Sequence, residues 1–131
     1  MTPLGIGIDL VEIVRIRRLL SDHGDRFKKR TFTQAESAYC DSCADPSMHY
    51  AARFAAKEAA AKALGTGIWA EGVNWTDLEV TRDANGKPGL LLHNGAAAHA
   101  ERQGVQASLV TLTHTSDQAI AQVMLLGQKP N

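Results

Sequence analysis

Residues 45–65 read Asp45-Pro46-Ser47-Met48-His49-Tyr50-Ala51-Ala52-Arg53-Phe54-Ala55-Ala56-Lys57-Glu58-Ala59-Ala60-Ala61-Lys62-Ala63-Leu64-Gly65, and the fold is organised around this stretch. An aspartate followed by proline is the expected opening of a helix: the carboxylate can accept from a free backbone N–H, and proline presets φ at the first helical position. Alanine is the strongest helix former, and Gly65 supplies the C-terminal stop. So many small side chains predict a helix packed closely on several sides. Glu58 and Lys62 are four apart with the acid first, so they share a face and are expected to pair. The ordinary reading is a surface ion pair worth tenths of a kcal/mol. The other reading is that a carboxylate and a lysine are kept on so crowded a helix for chemistry, because burying them is costly.

Upstream, Thr33-Gln34-Ala35-Glu36 has the form of a capping box and starts a helix running to about Cys43. Leu4–Ile8 reads as a strand that ends at Asp9. Leu10, Ile13, Val14, Ile16, Leu19 and Leu20 then recur with helical spacing, and the polar run from Asp22 to Lys29 with Gly24 stops that helix. Downstream the character changes. Leu78–Arg82 alternates as a strand, Asn85-Gly86 is a hairpin signal, and Gly89–His93 is the return strand. Asn94-Gly95 caps a short helix that ends at Gly104. Ser108–Thr113 and Ala119–Leu126 form a second hairpin across Thr115-Ser116-Asp117. Helices early and hairpins late predict an α+β fold with an antiparallel sheet around a long central helix. Residues 1–131 are read as one domain with a frayed tail at 127–131.

The 131 residues carry 14 Lys+Arg against 14 Asp+Glu, which argues against a general nucleic-acid binder. Alanine supplies 20 of the hydrophobic positions and aromatics only 5%, so the core is thin and some surface is expected to be buried against copies of the chain. No apolar run is long enough to span a bilayer, and Asp9 and Glu12 interrupt the N-terminal stretch where a signal peptide would be apolar. A soluble, cytoplasmic protein with no membrane partner is expected. Cys40 and Cys43 form a lone C-x-x-C with no second pair to complete a zinc site, so they are read as two thiols near a helix end. Between Leu10 and Arg30 seven bases face three acids, a local +4 within a neutral chain. A solvated basic helix end explains it, as does a docking patch for an acidic partner; interleaved Ile16, Leu19 and Leu20 favour docking.

Asp9, where the first strand emerges, reads either as a helix cap or as a metal ligand, with the cap the commoner use. Thr113-His114-Thr115 offers a histidine between two hydroxyls, a set that can bind an anion. Asp9 and Glu58 together could hold Mg²⁺, which prefers one or two carboxylates plus phosphate oxygens and water, with Lys62 adding positive charge to the same phosphates. Such a set favours phosphoryl-type transfer.

Gly5-Ile6-Gly7-Ile8-Asp9-Leu10-Val11-Glu12 with Arg15-Ile16 resembles the opening motif of the holo-acyl-carrier-protein synthases, the short 4′-phosphopantetheinyl transferases. Arg53-Phe54-Ala55-Ala56-Lys57-Glu58-Ala59 with Lys62 and Gly65-Thr66-Gly67-Ile68 resembles their second motif. Arg26-Phe27, Thr33-x-x-Glu36, Asn85-Gly86-Lys87-Pro88 and Thr113-His114-Thr115 with Ala119-x-Ala121-Gln122-Val123 continue the match in the family's order. The resemblance implies transfer of the phosphopantetheine arm of coenzyme A to a serine of apo acyl carrier protein, releasing adenosine 3′,5′-bisphosphate, as a step serving fatty acid biosynthesis. It implies Asp9 and Glu58 as Mg²⁺ ligands, Lys62, Gly65 and His114 at the coenzyme A phosphates, and Glu58 and Lys62 as the catalytic pair. It leaves Glu58 and a water on the metal as the two candidates to take the serine proton. Arg15, Arg26 and Phe27 match positions on the carrier-protein docking surface. The family assembles as a homotrimer with coenzyme A in clefts between subunits.

Three departures stand out: Gly89 replaces an aromatic after Lys87-Pro88, Asp41–Ser47 lacks a basic residue, and Asp22 and Asp25 dilute the docking face. Two other functions compete with transfer. A silent relative that only binds coenzyme A or a carrier protein would be expected to have lost Asp9, Glu58 or Lys62. An interaction module for an acidic partner would use the basic helix alone.

Overall fold

A computed structural model describes residues Met1–Asn131. Strand β1 (Thr2–Glu12) leads into helix α1 (Ile13–Thr31), followed by α2 (Gln34–Asp41) and the long α3 (Pro46–Leu64). A single 3-10 turn at Trp75–Asp77 precedes β2 (Leu78–Arg82) and β3 (Pro88–Leu92), then α4 (Asn94–Gln103), β4 (Val105–His114) and β5 (Gln118–Gly127). The α+β class and the antiparallel pairing agree with the sequence reading. One sheet has the order β1-β5-β4, and β2 and β3 form a separate hairpin.

Helix α3 lies against β1 and β5, and its alanines explain how. Ala55, Ala56, Ala59, Ala60 and Ala63 are buried, and they meet Val11, Ala119, Ala121, Val123 and Leu125 from the sheet. Contact is closest along β1, where a Cβ on Gly5 would run into the Ala63 carbonyl and one on Gly7 into the Ala59 carbonyl. The two glycines therefore serve helix–strand packing. On the opposite face of the sheet, Ile6, Ile8, Leu10 and Leu109 remain exposed.

Two elements differ from expectation. Strand β1 does not end at Asp9 but runs to Glu12, with Asp9 opposite Ala121 and Leu10 opposite Ile120. Alternation through Ile6, Ile8 and Leu10, pinned by β5, overrides the helical spacing that Leu10 shares with Ile13 and Ile16. Asp9 is therefore not a helix cap. Helix α1 breaks at Gly24 (φ 48°, ψ −124°) and then resumes to Thr31. The resumed segment forms because Phe27 packs on Phe32 and Phe54, a tertiary gain invisible in a polar run. The capping box forms as read: Glu36 N–H donates to Thr33 Oγ1 at 3.2 Å, and Thr33 N–H donates to Glu36 Oε1 at 2.8 Å. Asp45, expected to cap α3, makes no side-chain cap bond and instead lies 3.9 Å from Arg17. Past β5, Gln128 N–H donates to Gly104 O at 3.1 Å.

Candidate active site

The close approach of α3 to β1 builds the first half of the site. Asp9 points from β1 toward α3, where Lys62 Nζ donates to Asp9 Oδ1 at 3.1 Å and to Ile8 O at 3.0 Å. Lys62 thus pairs with Asp9 across the packed interface rather than with Glu58 along its own helix. Glu58, one turn earlier, is half-buried and has no hydrogen-bond or ion-pair partner. Burial first, and the negative charge of Asp9 second, push the Glu58 carboxyl above its ordinary value, while Lys62 and Arg15 oppose the shift. Two carboxylates that repel each other, one wholly unpartnered and the other with a free oxygen, fit a hard divalent cation. No third metal-ligating side chain joins them, so the remaining positions on such a cation would belong to substrate oxygens and water. Gly65 follows one turn beyond Lys62 and ends α3.

A second group of polar side chains gathers elsewhere in the chain. A cleft of about 450 Å³ is lined by Tyr39, His49, Arg53, Arg82, Lys87 and His114 among others, five basic groups with no acid. Arg53 and Arg82 place their guanidinium carbons 4.5 and 4.3 Å from the Tyr39 ring centroid. Arg53 is buried, and its Nε has no partner. Burial, and then the charge of Arg53, push His49 below its ordinary pKa. His114 is exposed at the end of β4, its Nδ1 3.4 Å from Thr115 O. Asp9, Glu58, Lys62 and Gly65 do not line this cleft.

Arg15 and Arg26 are exposed on α1, with Arg15 standing 5.4 Å over the Phe54 ring. Phe27 is half-buried in the aromatic cluster rather than free on the surface. The two cysteines are free, and burial above all pushes the Cys40 thiol up to about 12.

Sequence reasoning missed two sets of residues. His49 and Arg53 come from α3 and Arg82 and Lys87 from the β2–β3 hairpin; Arg53 and Lys87 stood within the matched motifs, but no sequence signal indicated that the four meet. It also missed the role of Lys57, wholly buried with its Nζ 2.6 Å from Glu36 Oε1. The capping box signalled Glu36 as a helix cap but not as the partner of Lys57.

A family model described as the 4′-phosphopantetheinyl transferase superfamily matches residues 5–123. The chain therefore belongs to that superfamily. Its relatives within it are holo-[acyl-carrier-protein] synthases: one from Anaeromyxobacter dehalogenans is 50% identical over 130 residues, covering 97% of this chain and 98% of the relative. The fold matches the crystal structure of such a synthase from Neisseria meningitidis with a TM-score of 0.87 at 34% identity, covering 95% of this chain and 99% of the other. It also matches a synthase from Bacillus anthracis in complex with CoA (3′,5′-ADP), with a TM-score of 0.79 at 33% identity over 98% of this chain and 100% of the other.

Proposed function

We propose that this chain transfers 4′-phosphopantetheine from coenzyme A to a serine of apo acyl carrier protein, with Mg²⁺ held by Asp9 and Glu58. The observation that carries the reading is the pair of under-partnered carboxylates beside Lys62 at the β1–α3 contact. Bound there, Mg²⁺ would neutralise charge on the coenzyme's pyrophosphate. Lys62, with its side chain 52% exposed, is free to turn one ammonium donor to the same phosphates. The serine oxygen forms a bond to the β-phosphorus as the pyrophosphate P–O bond breaks and adenosine 3′,5′-bisphosphate leaves. Glu58 or a water on the metal would accept the serine proton, and the burial that raises the Glu58 carboxyl above its ordinary value supports Glu58 in that role. The backbone around Gly65, at the end of α3, would lie beside the same phosphates.

The basic cleft around Arg53, Arg82 and His114 suits the phosphorylated nucleotide end of the coenzyme. Because that cleft and the carboxylates are separate within one chain, we read the complete site as shared between neighbouring copies in a homotrimer. The bare apolar face of Ile6, Ile8, Leu10 and Leu109 is the surface such copies would bury. Arg15, Arg26 and the edge of Phe27 present the basic face of α1 to an acidic carrier protein. Residues 1–131 act as one transferase domain in the cytoplasm; no helix is long and apolar enough to cross a membrane.

Intact-mass measurement of an apo carrier protein incubated with the chain, coenzyme A and Mg²⁺ tests the reading. A single phosphopantetheine increment is expected; an unchanged mass with several carriers, despite coenzyme A binding, overturns it.

A further inference from the structure

We propose that Tyr39 is a positioning residue for coenzyme binding: its ring holds the Arg53 and Arg82 guanidiniums together while leaving their donors free for phosphate. The inference rests on the transferase reading above, in which the basic cleft takes the phosphorylated end of the coenzyme. Arg53 comes from the middle of α3 and Arg82 from the last position of β2, so no single stretch of backbone fixes one against the other. What they share is Tyr39 on α2. Its ring centroid lies 4.5 Å from the Arg53 guanidinium carbon and 4.3 Å from that of Arg82.

Two cations gathered on one ring repel each other, and burying Arg53 without a counter-ion adds to the cost. Neither arginine takes part in any of the chain's ion pairs. Glu36 and Glu79 line the pocket on the other side of Tyr39, Arg53 and Arg82, but Glu36 is bound to Lys57 and Glu79 to His93. The aromatic face of Tyr39 therefore stands where a carboxylate would ordinarily be. The difference matters for a ligand. A carboxylate would occupy the in-plane N–H donors that a phosphate needs, whereas an aromatic meets the guanidinium from above its plane. Those donors are nearly idle: Arg53 makes one side-chain hydrogen bond, from Nη1 to His49 O at 3.5 Å, and Arg82 makes none. The platform is fixed independently of the arginines. Tyr39 O accepts from Ser42 Oγ at 2.6 Å, from Ser42 N–H at 3.1 Å and from Cys43 Sγ at 3.3 Å, and its ring meets the His49 ring edge-on. Gly86 leaves room for the Arg82 fork, since a Cβ there would stand 3.1 Å from Arg82 Nη2.

The test varies coenzyme A at saturating apo carrier protein and Mg²⁺ for Tyr39→Leu, Tyr39→Phe, Arg82→Gln and the double variant Tyr39→Leu/Arg82→Gln. Tyr39→Leu should raise the KM for coenzyme A about tenfold with kcat held. Tyr39→Phe should restore the original KM, because the ring face and not the hydroxyl meets the guanidiniums. Arg82→Gln should raise KM to a similar extent, and the double variant should rise little further, as expected of a residue that acts through another. An unchanged KM in Tyr39→Leu overturns the proposal, and so does full additivity in the double variant. Failure of Tyr39→Phe to restore KM also overturns it, by assigning the hydroxyl to the coenzyme directly. A Tyr39→Leu chain that loses Tm and kcat together overturns it as well, by making Tyr39 a clamp of the fold. Calorimetric titration with coenzyme A, without carrier protein, separates this inference from the transferase reading. If the unmodified chain transfers nothing, that reading fails, while weaker coenzyme A binding by Tyr39→Leu still upholds the role of Tyr39 and equal binding still removes it.

Discussion

Lys57 and Lys62 lie five residues apart on α3, and each meets a carboxylate from another element, with opposite results. Lys57 is completely buried and uses all three of its donors: Glu36 Oε1 at 2.6 Å, Leu78 O at 2.7 Å and Trp75 O at 3.0 Å. Glu36 is equally committed, accepting from Thr33 N–H and from Val80 N–H at 2.8 Å each. Burial lowers the Lys57 pKa, and Glu36 opposes that shift. This junction ties α2, α3 and β2 together and has nothing left to offer a ligand. Lys62 keeps a 52% exposed side chain, its partner Asp9 keeps a free oxygen, and Glu58 beside them has no partner at all. Satisfied charge fixes a structure; charge left half-satisfied at a surface is what a substrate can complete.

The strongest way to break the contrast is Lys57→Met. Stranding Glu36 in the core should remove about 3–5 kcal/mol of stability in denaturant unfolding. A midpoint equal to that of the unmodified chain would show the junction to be dispensable. Glu58→Gln should behave in the opposite sense. Transfer should fall about a hundredfold or more, with a Tm unchanged or slightly raised because a half-buried carboxylate facing Asp9 has been neutralised. A parallel loss of Tm would merge the two regions into one structural unit.

A pH series sharpens the comparison at the margin of the buried junction. Burial would raise the Glu79 carboxyl, but bonds from His93 at 2.8 Å and Thr33 Oγ1 at 2.9 Å, with the charges of His93 and Lys57, hold it below its ordinary 4.5. Its contribution to stability is therefore complete above 4.5 and lost as pH falls through the folded value. Glu79→Gln should flatten that acid limb, and an identical limb would sink the assignment. The smallest effect concerns the thiols. Iodoacetamide at pH 8 should label the half-exposed Cys43 and spare buried Cys40, whose thiol sits at about 12.

Local signals in the sequence were reliable where local physics decided the outcome. The capping box at Thr33, the proline opening and glycine stop of α3, and the hairpin across Asn85-Gly86 all depend on a few adjacent residues. Asp9, Glu58 and Lys62 were each visible as chemistry-bearing residues, but the partner of Lys62 was not. Spacing along a helix favours Glu58, and only the seating of β1 on α3 through Gly5 and Gly7 brings Asp9 nearer. The buried Lys57–Glu36 junction and the basic cleft gather residues from distant segments, and helical or strand periodicity says nothing about such meetings. The second half of α1 escaped for the same reason: Phe27 earns its helix from Phe32 and Phe54, not from its polar neighbours.

The central claim is that Asp9 and Glu58 hold the divalent cation that transfer requires. Its most direct test is the magnesium dependence of phosphopantetheine transfer, read by intact mass of the carrier protein, for the unmodified chain and Asp9→Asn. The account predicts no transfer under chelator and full recovery with Mg²⁺ in the unmodified chain. Asp9→Asn should need at least about tenfold more Mg²⁺ for half-maximal rate. Equal magnesium dependence in the two proteins, or transfer undiminished by chelator, would contradict it.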